Sequence, residues 1–265
     1  MTQVQGFALD KRQVRRQHQR WQVGLSPAAI PAERLWERLQ MMAQNPQQAL
    51  DVGGNGDFLA ACYPQAQVLA VDVAPAQTSV LPQVLRMGAD ACALPVADAS
   101  VQLLWSNLCV EWTDYRLFFA EAARVLATDG LLAFATLGPA TLAEMRSVFA
   151  DRTRVHDFAD MHNLGDALMA CGFTEPLMES EELTFTYANA RDAMTETRRL
   201  GAANARSQRT SLTKGGWGRA LAEYEKKYSD SKGRVRATYE VIYATAWRAQ
   251  PPPPIAESPL RFYRA

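Results

Sequence analysis

The sequence has no long uncharged apolar run, no excess of either charge, and little cysteine or histidine. Four cysteines occur in 265 residues. Cys62, Cys92, Cys109 and Cys171 stand apart, with no CxxC and no Cys/His spacing, which excludes the usual zinc patterns and favours reduced, packed thiols over a disulfide frame. His18, His156 and His162 are the three histidines. They are scattered, so no metal set and no Ser-His-Asp or Cys-His arrangement for nucleophilic catalysis is offered. Lys plus Arg (28) balances Asp plus Glu (28), leaving no overall field to hold nucleic acid or an anionic membrane. An acidic partner must find a local patch. The opening "MTQVQGFALDKRQ" lacks a signal-peptide core, and nothing later is long and uncharged enough to span a bilayer, so a cytoplasmic protein is expected. Two phosphate-binding patterns are missing as well. There is no GxxxxGK[ST], and G-x-G-x-x-G fails because Leu59 stands where the third glycine after Gly54 and Gly56 belongs, which argues against P-loop and nicotinamide chemistry.

What is present is enough apolar material, 48% of the chain, to bury one sizeable core with a small appended unit. Residues 1–45 read as a helical leader: basic "DKRQVRRQHQRW", a break at "GLSPAAIP", then "AERLWERLQMM" with apolar positions at helical spacing. A main domain is expected over 46–250. "ALDV", "VLAVDV", "VQLLWSN" and "LLAFAT" are strands buried on both faces, and "YRLFFAEAARVLATDG" is a helix closed by Gly130. This alternation predicts a parallel sheet with helices on both sides. "DMHNLGDALMACGF" is a helix ending at Gly172, "LTFTY" a strand, and "ATYEVIYATAW" the last strand. Residues 190–236 between them are polar, Arg-rich and helical, an inserted lid over one end of the sheet. Trp21, Trp36, Trp217 and Trp247 are assigned to core packing. "PPPP" opens an extended tail over 251–265.

The functional signal lies in "LDVGGNGDFLA". In an open parallel sheet the first strand-to-helix turn lies beside the ligand, and glycine is needed where main chain must approach it closely. Asp51 precedes that turn by two residues. Asp72 ends "VLAVD" about twenty residues on, where a carboxylate can accept from both hydroxyls of a ribose. Asp90, in "GADACALP", is placed to accept from an adenine amine. Three acids in this order fit S-adenosylmethionine, with Asp51 anchoring the turn and water near the ligand's amino group.

On those residues the chain resembles the class I methyltransferases through "ALDVGG", "VDVAP", "GADACALP", "VQLLWSNLCVEW" and "EAARVLATDGLLAFATLGPATLAEMR". The later segments "FADMHNLGDALMACGF", "LTFTY", "RRLGAAN" and "ATYEVIYATAW" are similar to the malonyl-[acyl-carrier-protein] O-methyltransferase family of biotin synthesis. The resemblance implies an α/β, Rossmann-like, seven-stranded sheet, mostly parallel with its last strand antiparallel, and a helical insert before that strand. It implies methylation of the free carboxylate of a malonyl thioester on acyl carrier protein, with S-adenosylmethionine as cofactor. Carried over by motif, Asp51, Gly53, Gly54 and Gly56 line the methionine part of the cofactor. Asp72 meets the ribose, Asp90 and Ala91 the adenine, and Asn107 the rim near the sulfonium. Trp112 and His162 border the substrate region. Arg198 pairs the malonyl carboxylate, because a guanidinium offers it two parallel donors.

The turn departs from the family's acid-x-Gly-x-Gly-x-Gly by one residue. Either one residue is deleted, keeping "GDFLA" at the helix start, or Asn55 and Asp57 replace the second and third glycines. The leader departs too: "HQRWQVGLSP" replaces an expected aromatic-acid pair. Methyl transfer to a carboxylate already ionised at neutral pH needs no general base, only alignment in a dry pocket, so no catalytic acid–base residue is expected. Lys11, Arg12, Arg15, Arg16 and Arg20 of the leader, and Arg206, Arg209, Lys214 and Arg219 of the insert, are candidates for docking an acidic carrier. Two alternatives stay open. The shortened turn suits a degenerate binding or assembly factor on the same fold, and the altered leader suits a methyltransferase of another small carboxylate.

Overall fold

The computed structural model describes residues 29–75, 81–148, 157–199 and 214–249. The basic leader with Lys11 to Arg20, His18, Trp21, His156, Arg206, Arg209 and the tail at 251–265 lie outside them, as do the side chains of Arg198 and Lys214.

Seven strands form one sheet in the order β3-β2-β1-β4-β5-β7-β6. They are β1 (Gln48–Val52), β2 (Gln67–Asp72), β3 (Val84–Gly88), β4 (Val101–Asn107), β5 (Leu126–Leu137), β6 (Phe173–Tyr187) and β7 (Val235–Arg248). Strand β7 alone is antiparallel to its neighbours β5 and β6, as expected for the family. The helices are α1 (Ala29–Gln40), α2 (Asp57–Cys62), α3 (Tyr115–Val125), α4 (Ala143–Val148), α5 (Met161–Ala170), α6 (Ala190–Arg199) and α7 (Lys214–Tyr228).

The near-continuous apolar strands are explained by two cores, one on each face. Because successive side chains of a strand point to opposite faces, Leu103 and Trp105 of β4 join a core with Leu35 and Leu39 of α1 and Leu59 of α2. Leu104 between them joins the other, with Phe118 and Phe119 of α3 and Leu164 and Leu168 of α5. Asp114 and Asp160 begin α3 and α5 by accepting the Arg116 and Asn163 backbone N–H groups, which satisfies donors the first turn leaves open. After α5 the chain reverses at Gly172, φ +83°, where a side chain is disfavoured. Trp36, Trp217 and Trp247 pack half-buried against the first core.

Gly130 does not close α3. The helix stops at Val125, and Leu126 turns extended (φ −71°, ψ 133°), because it must pair with Val101 of β4. The register then shifts before Leu131 pairs with Leu103, so "ATDG" forms the irregularity, with Asp129 at φ +60°. Two further stretches are strands that the apolar pattern does not mark. "VLRMG" is the edge strand β3, and β6 starts at Phe173, well before "LTFTY". Pro176 is tolerated there because β6 is also an edge and its pairing skips from Thr174 to Leu177.

Candidate functional site

Strand order reverses between β1 and β4: the chain runs outward from β1 through β2 to β3, then returns on the other side as β4. The crevice beyond the carboxyl ends of two such strands is where open α/β sheets bind ligands. Two segments meet in it, the turn after Val52 and the residues that follow Asn107.

The turn is built around a buried carboxylate. Asp51 is 4% exposed, and its Oδ2 accepts the Gly56 N–H at 2.8 Å. Gly54 lies so close that a Cβ there would overlap the Asp51 carboxylate. Gly53, at φ +85°, presses its backbone against the Cys109 side chain and donates its N–H to the Val71 carbonyl of β2 at 2.8 Å. Gly56, at φ +79°, caps α2, whose first residue is Asp57. "GDFLA" thus opens the helix, and the turn closes over the carboxylate it surrounds. Burial pushes the Asp51 carboxyl up to about 7. The Gly56 N–H opposes that rise, Asp72 and Asp57 add to it, and Arg86 opposes it.

The other acids lie along the same edge. Asp72 ends β2 half-buried, with Oδ1 accepting the Ala74 N–H at 2.6 Å. Its carbonyl accepts the Ala89 N–H at 3.1 Å, which ties the end of β2 to the segment holding Asp90. Asp90 accepts the Cys92 N–H at 2.9 Å through Oδ1 and bridges to Ala93, with half-buried Ala91 between them. Asn107 ends β4 beside Ala135 of β5. Leu108 then takes φ +54°, which carries Cys109 beneath Gly53 and starts a 3-10 turn, Val110–Trp112. Trp112 is buried there, and buried Glu111 accepts the Thr136 hydroxyl at 2.9 Å.

The remaining candidates are placed differently. His162 stands on α5 with its side chain 87% exposed, 3.6 Å from Asp166 one turn along the same helix. Arg198 lies in the last turn of α6. Its neighbour Thr197 is buried, with its hydroxyl 2.8 Å from the Ala193 carbonyl, to which it donates, and 3.2 Å from the Tyr239 hydroxyl, a pair in which either oxygen can be the donor. Tyr239, Val241, Leu108 and Leu137 line an apolar crevice beside the end of β4. All four cysteines are free, and burial raises the Cys109 thiol well above its ordinary value.

Arg86 of β3 was not among the expected residues. Its Nε donates to the Asn55 carbonyl at 2.8 Å and its Nη2 to Asp57 at 2.7 Å. The only hint in the sequence is the polar "NGD" in the turn, which calls for a cation from elsewhere in the chain.

A family described as "Methyltransferase domain" matches residues 50–134. A Malonyl-[acyl-carrier protein] O-methyltransferase of Gallionella capsiferriformans is 38% identical, over 92% of this chain and 93% of its own. One of the same name from Laribacter hongkongensis is 37% identical, over 92% of both. Among solved structures, the YcgJ protein from Bacillus subtilis superposes with a TM-score of 0.60 at 14% identity, covering 83% of this chain and all of that one. That likeness concerns the fold.

Proposed function

This chain belongs to the malonyl-[acyl-carrier protein] O-methyltransferase family, and on that premise we propose that it methylates the free carboxylate of a malonyl thioester carried on acyl carrier protein, a step of biotin precursor synthesis. The observation that carries the reading is the match over nine-tenths of the chain to enzymes of that name. The geometry agrees with it.

The bare turn and the acids around it fit S-adenosylmethionine. A Cβ at Gly53 or Gly54 would overlap Cys109 or Asp51, so side-chain-free backbone flanks a buried carboxylate suited to an ammonium. Asp72 is assigned to the ribose hydroxyls, Asp90 and Ala91 to the adenine, and Asn107 to the sulfonium rim. When bound, the cofactor supplies an electrophilic methyl group. The chain's own task is alignment. The substrate carboxylate is ionised at neutral pH, so no residue must take a proton, and orientation in a dry site can supply roughly 7–11 kcal/mol of the barrier.

Arg198 pairs the malonyl carboxylate. Support comes from Thr197, next to it on α6, which bonds Tyr239 at the wall of the apolar crevice. That wall is mostly apolar, so it suits the uncharged part of the substrate and leaves the charge to the guanidinium. Trp112 is assigned to the border of the substrate region. His162 is kept only at the outer border of the substrate region, given its exposure. Helices α6 and α7, inserted between β6 and β7, act as the lid. Among the described residues no helix is long and apolar enough to cross a membrane, and the free thiols suit the cytoplasm.

The test is mass spectrometry of malonyl-loaded carrier protein after incubation with the enzyme and S-adenosylmethionine. A gain of one methyl ester is expected. Cofactor binding by calorimetry without that gain points to another small carboxylate. No binding of S-adenosylmethionine or its demethylated product by folded protein points to a binding or assembly factor.

A further inference from the structure

The turn between β1 and α2 carries Asn55 at its tip, and Asp57 follows it as the first residue of the helix. Main chain with two left-handed glycines, φ +85° and +79°, has no intrinsic reason to hold one shape. Two restraints act on it. From inside, the Asp51 carboxylate accepts the Gly56 N–H. From outside, Arg86 reaches across from β3: Nε to the Asn55 carbonyl at 2.8 Å, Nη2 to the Asp57 carboxylate at 2.7 Å. Asn55 and Asp57 lock to each other as well, Nδ2 to Oδ2 at 3.2 Å and Asp57 N–H to Asn55 Oδ1 at 3.1 Å.

Stability is a poor explanation for that arginine. Its side chain is 9% exposed, and its Nη1 is buried without a hydrogen-bond partner among the described residues. Burying a guanidinium with a donor unsatisfied costs free energy that an apolar residue would not incur. An ion pair with a buried guanidinium and a partly exposed carboxylate is better explained by the geometry it specifies.

Resting on the cofactor reading above, we infer that Arg86 is a positioning residue for S-adenosylmethionine, which fixes the glycine turn through Asn55 and Asp57 so that its backbone and Asp51 meet the ligand. A bidentate fork sets both distance and direction, and displacement of about 1 Å near a reacting centre can cost roughly a hundredfold in rate. Arg86 also lies in the field of Asp51. The groups facing that carboxylate are the Gly56 N–H from the turn, Asp72 from β2, Asp57 from α2, Arg86 from β3, and the Cys109 thiol after β4. Arg86 favours its charged form and Asp57 opposes it.

The test is the affinity of the full chain for S-adenosylhomocysteine, measured by calorimetry across pH 6 to 9. Arg86→Met is expected to weaken binding at least tenfold and to move to higher pH the point where affinity stops improving. Asp57→Asn, which loses the charge of the clamp, is expected to weaken binding while moving that point to lower pH. A role in general stability would not separate the two directions. Folded Arg86→Met that binds as the wild type does, or variants shifting the same way, overturns the inference and leaves the family reading intact. A wild type that binds neither cofactor form removes both. Should Arg86→Met fail to fold, Arg86→Lys keeps the charge and reaches only one acceptor. It is expected to lose affinity without moving the pH point, and unchanged affinity there overturns the inference.

Discussion

Burial holds the Asp51 carboxyl at about 7 against an ordinary 3.8, so between those values the folded chain keeps a proton that the unfolded chain has released. Stability contributed at this position is therefore present at low pH, falls as pH rises toward 7, and is constant above it. Asp51→Asn removes the slope and keeps an acceptor for the Gly56 N–H. The ligand-free variant is expected to melt higher than the wild type at pH 8 and to lose that advantage by pH 4. Thermal denaturation at both values checks this, and parallel behaviour of the two proteins would show that Asp51 does not titrate there. A bound ammonium favours the charged carboxylate, so cofactor affinity should rise with pH up to about 7 in the wild type and fall at least tenfold in the variant. Asp72 is tested separately. Charge-assisted bonds contribute about 1.5–3 kcal/mol each, hence Asp72→Ala is expected to weaken cofactor binding tenfold or more by calorimetry, and unchanged affinity would place the ligand elsewhere. The positions of these acids were readable in the sequence, because each ends an apolar run or precedes a glycine turn. Arg86 was not, since its partner Asn55 is 31 residues away and nothing local marks the pairing.

Elements were legible where burial wrote a simple pattern. β1, β2, β4 and β5 are apolar on both faces because a core covers each side of the sheet. β3 and the first half of β6 were not legible, because edge strands meet solvent. β3 carries exposed Leu85 and Met87, and β6 carries glutamates, two of which pair with α1: Glu179 with Arg38 at 2.6 Å and Glu181 with Arg34 at 3.9 Å. The end of α3 was misplaced because Ala127 and Gly130 fit a helix locally, and pairing of Leu126 with Val101 overrides that preference. At this scale the insert matters most for function. Helix α6 is fixed to β7 by Thr197 and Tyr239, which puts Arg198 on a rigid element rather than a loop. Arg198→Ala is expected to raise the Michaelis constant for malonyl carrier protein about ten- to hundredfold, the loss of one charge-assisted pair, with cofactor affinity unaltered. Steady-state kinetics with calorimetry beside them checks the split. A Michaelis constant that does not move would remove the role.

At the scale of the molecule the question is whether the insert and the sheet unfold together. β6 and β7, which flank the insert, are paired along Phe173–Tyr187 and Val235–Arg248. α6 and α7 contribute Ala193, Leu221 and Tyr224 to the core that also holds Leu59 of α2 and Trp105 of β4. Tyr224 is buried and donates its hydroxyl to the Arg236 carbonyl of β7 at 2.7 Å, so the described residues of the insert share the sheet's core rather than forming one of their own. The proposed cofactor site lies at the other half of the sheet, between β1 and β4. A ligand that binds only the native state at a hundred times its dissociation constant adds about 2.7 kcal/mol, and a domain of this size gains about 2–4 °C per kcal/mol. Saturating S-adenosylhomocysteine is therefore expected to raise a single unfolding transition by roughly 5–10 °C, with fluorescence from Trp105 of the central strand β4 and Trp217 of the insert helix α7 moving together. Scanning calorimetry with and without ligand checks it. Two transitions, only one of them shifted by ligand, would show that the lid folds as an independent unit and that Arg198 is not held in register with the cofactor by the common core.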